Sequence, residues 1–200
     1  MIVYLHGLNS SSQSHKAALL REALAPEQLL APDYPAHRPN QAVAELTAQM
    51  QKLTGQGGVP MLIGSSMGAF YGQFLARQFP VSHLFMINPA LKPWELLPSF
   101  VDVPMTTANG EAYRLSADVI ESTRAYGMER PCEGEDDGVP TTLFLDQGDE
   151  VIDYRIAEAL YRDCGRLLLY PGGDHAFQHM EEAVDIIRDT LNDRDDGMQP

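Results

Sequence analysis

Residues Gly64, Ser65, Ser66, Met67 and Gly68 set a serine between two glycines where the apolar run 60–63 ends. That spacing suits a chain turning sharply from strand to helix with one hydroxyl at the apex. The apex residue takes a strained backbone, and side chains two positions to either side would collide. Glycine at both places removes the collision. The pattern fits one register only, because centring it on Ser65 would put Ile63 and Met67 at the flanks. Ser66 is therefore the candidate nucleophile. Gly68, Ala69 and Gly72 let the following helix approach the sheet closely, and its N-terminus directs partial positive charge at the site.

A serine hydroxyl becomes nucleophilic when a base takes its proton and an acid orients that base. Of six histidines, His175 in "YPGGDHAF" lies between the last apolar run and the last amphipathic segment. That places it at the sheet edge that carries Ser66. His15, His37, His83 and His179 fall on helices, a proline-rich loop or a strand start, where solvated or structural roles fit. His6, just before Gly7, suits the shaping of a loop. For the acid, "LDQGDEVID" offers Asp146, Asp149, Glu150 and Asp153. Asp149 follows a glycine turn that lets its carboxylate fold back. Asp146 and Asp153 stay as alternatives, the latter better suited to a helix N-cap. Asp174 adjoins His175, and neighbouring side chains diverge. Asp33 precedes Ser66, outside the usual chain order. The backbone N–H groups of Leu8 and Met67 are the candidate oxyanion donors.

These residues need a sheet to bring them to one rim. The runs 2–5, 28–33, 60–64, 83–88, 141–146 and 166–170 are continuously apolar, as strands buried on both faces are. Amphipathic segments separate them: one from an Asn40 N-cap, one from Asp153 with Gly165 at its end, and one with Met180, Ala183, Val184, Ile187 and Leu191 on a single face. Serines 10–12 and 14 can cap a helix after the first strand. The alternation predicts an open α/β sheet with right-handed crossovers. Residues 89–139, with five prolines, read as an insertion holding short helices near 94–100 and 116–126. The run "EGEDDG" (133–138) reads as a solvated loop, and 193–200 as a disordered tail after a single domain spanning 1–192.

The chain has 200 residues and a net charge of −14, which argues against a nucleic-acid groove or an anionic membrane surface as partner. No apolar run reaches the ~18 residues of a membrane span. The N-terminus shows only a four-residue apolar run and no signal peptide pattern. Cys132 and Cys164 form no metal-binding spacing and read as two reduced thiols. A soluble, cytoplasmic protein is the expectation.

The segments "YLHGLNSS", "IGSSMGAF", "INPALKPWELL", "QGDEVIDY" and "GGDHAF" resemble the α/β-hydrolase superfamily, and within it the small bacterial YqiA/YcfP-type esterases, the UPF0227 group. The resemblance covers residues 2 to about 190. It implies a three-layer fold with a mostly parallel sheet of about six strands, lacking the fold's first two. It also implies a triad of Ser66, Asp149 and His175, and activity on short acyl esters or acyl-CoA thioesters. The expected function is a carboxylic-ester hydrolase acting through an acyl-enzyme with no metal or organic cofactor. An acyl-CoA thioesterase, an acyltransferase, a peptidase or a non-catalytic binding module on the same fold are the alternatives. The acidic balance disfavours CoA unless Lys16, Arg38 and Lys92 form a local basic patch. Trp94, Leu97 and Phe100 are candidates to roof an acyl site, or to form a second small core.

Overall fold

In the computed structural model, which describes residues 1–133 and 138–196, six strands form one parallel sheet. They are β1 (Ile2–Leu5), β2 (Leu29–Leu30), β3 (Met61–Ser65), β4 (His83–Ile87), β7 (Thr141–Asp146) and β8 (Arg166–Tyr170), in the order β2-β1-β3-β4-β7-β8. Successive side chains of a strand point to opposite faces, and along β1, β3, β4 and β7 both faces are buried. Ile2, Tyr4, Met61, Ile63, Phe85, Ile87 and Phe144 pack on one side, against Ala17 and Leu20 of α1 (His15–Ala23) and Ala183, Val184 and Ile187 of α7 (Met180–Asp196). Val3, Leu5, Leu62, Leu84, Met86, Leu143 and Leu145 pack on the other. There they meet α2 (Pro39–Thr54), α3 (Met67–Gln78) and α6 (Tyr154–Tyr161). This is why the strand segments read as unbroken apolar runs.

Local signals set most boundaries. Ser14 caps α1 by accepting the Ala17 N–H, and Asp153 caps α6 by accepting the Arg155 N–H. The cap expected at Asn40 is corrected: Pro39 takes the first helical position, whose N–H would go unused anyway, so the helix starts two residues earlier behind Arg38. Residues 134–137 of the acidic run and 197–200 of the expected tail lie outside the described residues. Helix α7 continues to Asp196, past the boundary expected at 192.

Between β4 and β7 the chain forms α4 (Pro93–Leu96), a 3-10 turn at Leu97–Phe100, a hairpin of β5 (Met105–Thr106) and β6 (Ala112–Tyr113), and α5 (Ala117–Ser122) followed by a second 3-10 turn. Sequence reasoning missed the hairpin. Its signal was present in Asn109-Gly110, with Gly110 at φ 85°, a conformation glycine adopts without strain. Trp94 and Leu97 join the main core, Trp94 edge-on to Phe70 with the Arg124 guanidinium over its ring. Phe100 packs against the same core, half-buried.

Cys132 and Cys164 are corrected from reduced thiols to a disulfide, with Cα atoms 5.3 Å apart. They lie 32 residues apart in sequence, so spacing alone hid the pairing. The end of the insertion meets the segment between α6 and β8, and Arg77 of α3 donates to the Pro131 carbonyl beside it. Thiol titration of the unfolded protein without reductant is expected to find no free thiol, and Cys132→Ser should lower the unfolding free energy by about 3 kcal/mol. Two titratable thiols before reduction would restore the original reading.

Candidate active site

The C-terminal ends of β1, β3, β4 and β7 form one rim, and the candidate residues gather there. Ser66 stands between β3 and α3 with φ 54° and ψ −119°, the strained conformation expected of an exposed apex. The flanking glycines are required by space. A Cβ on Gly64 would lie 2.4 Å from Ala69 Cα, and one on Gly68 would lie 2.0 Å from the Leu5 carbonyl oxygen. Ser66 is pinned from β4 as well. Its N–H donates to Ile87 O at 3.0 Å, and its carbonyl accepts from the Ala90 N–H at 3.2 Å.

The loop after β1 rests directly on this turn: a Cβ on Gly7 would meet Ser66 Cβ at 3.2 Å and Ser66 Oγ at 3.7 Å. Leu8, the next residue, therefore enters the rim beside the serine. Met67 opens α3, so its N–H has no acceptor within the helix. The His6 Nδ1 donates to the Gly7 carbonyl at 2.9 Å, and Tyr34 Oη donates to the His6 carbonyl at 2.5 Å. Both contacts hold the loop's bend.

Asp149 and His175 meet. The carboxylate Oδ2 accepts from His175 Nδ1 at 2.9 Å, which leaves Nε2 as the ring's basic nitrogen. The other oxygen, Oδ1, accepts the N–H groups of Val151 (2.8 Å) and Ile152 (2.9 Å). Burial, the largest influence on Asp149, pushes its carboxyl up. The hydrogen bonds from His175, Ile152 and Val151 together outweigh it and hold the group below the ordinary value. Ser66 Oγ makes no side-chain hydrogen bond among the described residues. Asn88 at φ 40° spans between the β4 and β7 ends: Oδ1 accepts from Asp146 N and Nδ2 donates to Asp174 O, both at 2.9 Å. It follows Ile87, which holds the Ser66 N–H, so one residue links the serine turn to the histidine loop.

Asp146 has a different partner from the one weighed for it. It is fully buried and binds His179 Nδ1 at 2.5 Å, while its second oxygen accepts from the N–H groups of Gln178 (2.8 Å) and Asp174 (3.3 Å). The loop lies so close that a Cβ on Gly173 would sit 1.9 Å from Asp146 Oδ2. Asp146 thus anchors the loop whose imidazole Asp149 orients. Asp153 is engaged as the α6 cap.

Lys16 was missed in this role. Its Nζ donates to Ser65 Oγ at 2.9 Å, beside the Ser66 turn. Burial pulls its pKa down to about 8, against the opposing pull of the Asp146, Asp174 and Asp149 carboxylates. Arg38 pairs with Glu111, and Lys92 lies 3.3 Å from Glu95. Each of the three cations has a partner of its own.

A parallel six-stranded sheet with helices on both faces and a serine elbow after its central strand defines an α/β-hydrolase fold. The family described as "Uncharacterised protein family (UPF0227)" matches residues 1–191, and the chain belongs to it. A UPF0227 protein of Serratia proteamaculans is 21% identical over 191 residues, covering 94% of this chain and 97% of that one. Among solved structures, Est1E from Butyrivibrio proteoclasticus with ferulic acid bound superposes with a TM-score of 0.74 at 15% identity, over 96% of this chain and 88% of that chain. The mouse alpha/beta hydrolase domain-containing protein 10 gives a TM-score of 0.70 at 17% identity, over 99% and 90%.

The lowered Lys16 value has a definite consequence. Between about pH 8 and the ordinary lysine range the unfolded chain holds a proton that the folded chain has lost, so stability contributed through Lys16 rises with pH across that window. Denaturant unfolding of wild type and Lys16→Met at pH 7 and pH 10 is expected to show wild type gaining relative to the variant. A parallel response in both proteins would contradict the burial of a charged amine here.

Proposed function

We propose that this protein is a serine hydrolase that cleaves carboxylic esters through an acyl-enzyme. The observation that carries the reading is the Asp149–His175 hydrogen bond at the rim where Ser66 stands on its strained turn. In this reading His175 Nε2 takes the Ser66 proton as Oγ attacks the ester carbonyl. The N–H groups of Leu8 and Met67 stabilise the oxyanion. His175 then protonates the departing alcohol, and water attacks the acyl-enzyme by the same sequence in reverse. Asp149 keeps the proton on Nδ1 and stabilises the imidazolium. Nucleophile–base hydrogen bonds of unliganded enzymes commonly tighten only when substrate binds, which accommodates the Ser66 Oγ geometry.

Two further points support an ester over an acyl-CoA thioester. Lys16, Arg38 and Lys92, the cations considered for a polyphosphate, are each held by a partner instead. Est1E and an esterase domain from Rhodothermus marinus share the fold.

Ser66→Ala is expected to lower kcat on p-nitrophenyl esters by several orders of magnitude, about 10⁴-fold or more, with an unchanged unfolding midpoint and no labelling by a fluorophosphonate. Ser65→Ala, which loses contacts to Lys16 and Tyr4 behind the turn, should keep most activity. Persistent turnover by Ser66→Ala would remove this serine from the reaction. Equal losses in the two variants would overturn the register.

A further inference from the structure

A cavity of about 220 Å³ opens beside the Gly7 loop. Its walls come from the turn after β1, the turn after β2 and the tip of the β5–β6 hairpin. Sites that engulf a whole drug-sized ligand run from roughly 300 to 1,000 Å³, so this one suits a single substituent. Its polar groups share one character. His6 Nδ1 is spent on the Gly7 carbonyl, so Nε2 carries the lone pair, and that atom is buried without a partner. His37 Nε2 is also buried and unpartnered, lying 3.7 Å from Glu111 Oε1. Burial lowers both imidazoles below the ordinary histidine value, which keeps them neutral at pH 7.

Asp33 adds an ordered carboxylate. Oδ1 accepts the Ser12 N–H at 2.8 Å and Oδ2 the Ser12 hydroxyl at 2.9 Å, leaving a free lone pair on each oxygen. Among the described residues no cationic side chain lines the cavity, and Glu111 already holds Arg38. Two acids and two neutral imidazoles repel a carboxylate or phosphate. An aliphatic group would leave the buried nitrogens unpartnered, a costly arrangement. A group bearing hydroxyls satisfies them.

We propose that this cavity is a specificity subsite that receives a polyhydroxylated or hydroxylated part of the substrate, its O–H groups donating to His6 Nε2 and the Asp33 carboxylate and engaging His37 Nε2. The proposal rests on the hydrolase reading and names the substrate class of that site. The hydroxyls can belong to the alcohol half or to the acyl half of an ester, and matched pairs separate the two.

The test is equilibrium binding to full-length Ser66→Ala by calorimetry. Glyceryl butyrate is compared with propyl butyrate, and ethyl 3-hydroxybutyrate with ethyl butyrate. One hydroxylated member is expected to bind about tenfold tighter than its partner or better, and the pair showing it identifies the half that enters. His37→Phe in the same background keeps a ring on Tyr113, which His37 faces at 4.2 Å between centroids, and should shrink the advantage to under about threefold. Asp33→Ala, at an exposed position, should do the same where the first variant fails to fold. Equal affinity within both pairs, no binding of any ester at millimolar concentration, or an advantage untouched by both variants overturns the subsite. Binding is read without turnover. An advantage that persists while wild type neither hydrolyses esters nor labels with a fluorophosphonate would sink the hydrolase reading alone, and hydrolysis with no advantage would sink the subsite alone.

Discussion

The contact between the first turn of α3 and the end of β1 constrains everything else at the rim. Gly68 lies so near the Leu5 carbonyl that a single methyl group would overlap it. That approach forces the chain to leave β3 through a residue with positive φ, and Ser66 is that residue. A non-glycine residue in this region costs on the order of 1–3 kcal/mol and persists only where the surroundings over-determine it. Here they do: β4 grips the Ser66 backbone from one side, and the His6–Gly7 turn presses on it from the other. The apparent strain is the consequence of two layers packed at backbone distance.

Given that turn, the carboxylates divide the remaining work. Asp146 is sealed at the end of β7 and receives three donors from the loop that follows β8. Asp149, three residues on, meets the imidazole in the middle of that loop. Two acid–histidine pairs therefore run side by side, one fixing the loop and the other orienting the ring within it. Asn88 ties both to β4. Lys16 is drawn by the charges of Asp146, Asp174 and Asp149, but burial outweighs that attraction and lowers its pKa.

How much of this could be read from the chain follows from how local each cause is. The two-faced burial of the strands lies in consecutive residues, so the α/β layering was legible. Gly64 answers a clash with Ala69 five residues on, while Gly68 answers the distant Leu5 carbonyl; the pair's spacing alone made a register centred on Ser66 legible. The Asp149–His175 contact was legible because each residue follows a strand end on one rim. What escaped depended on distant neighbours. Nothing near Asp146 announces that a loop nearly thirty residues later will wrap it, and nothing near Lys16 points to Ser65. The disulfide joins segments that meet only once the insertion has folded back. The β5–β6 hairpin is the exception, since Asn109-Gly110 is a local signal that the proline-rich surroundings obscured.

The insertion itself has two chemical halves. Trp94, Leu97, Leu115 and Ile120 sink into the core shared with α3, so that half cannot vary without disturbing Phe70 beneath it. The hairpin between them rests on the core through Met105 and Tyr113 and is tied down by Tyr113 Oη on Asn9 and by the Arg38–Glu111 pair. Asn9 lies two residues past Gly7, so one wall of the cavity is anchored to the loop that carries the candidate oxyanion donor Leu8. The hairpin's exposed side chains can change without touching the strained serine or the buried acids, whereas the anchor fixes where those side chains stand relative to the Gly7 loop. This separation lets a rigid serine turn carry a wall whose chemistry is set by a few residues at 107–111.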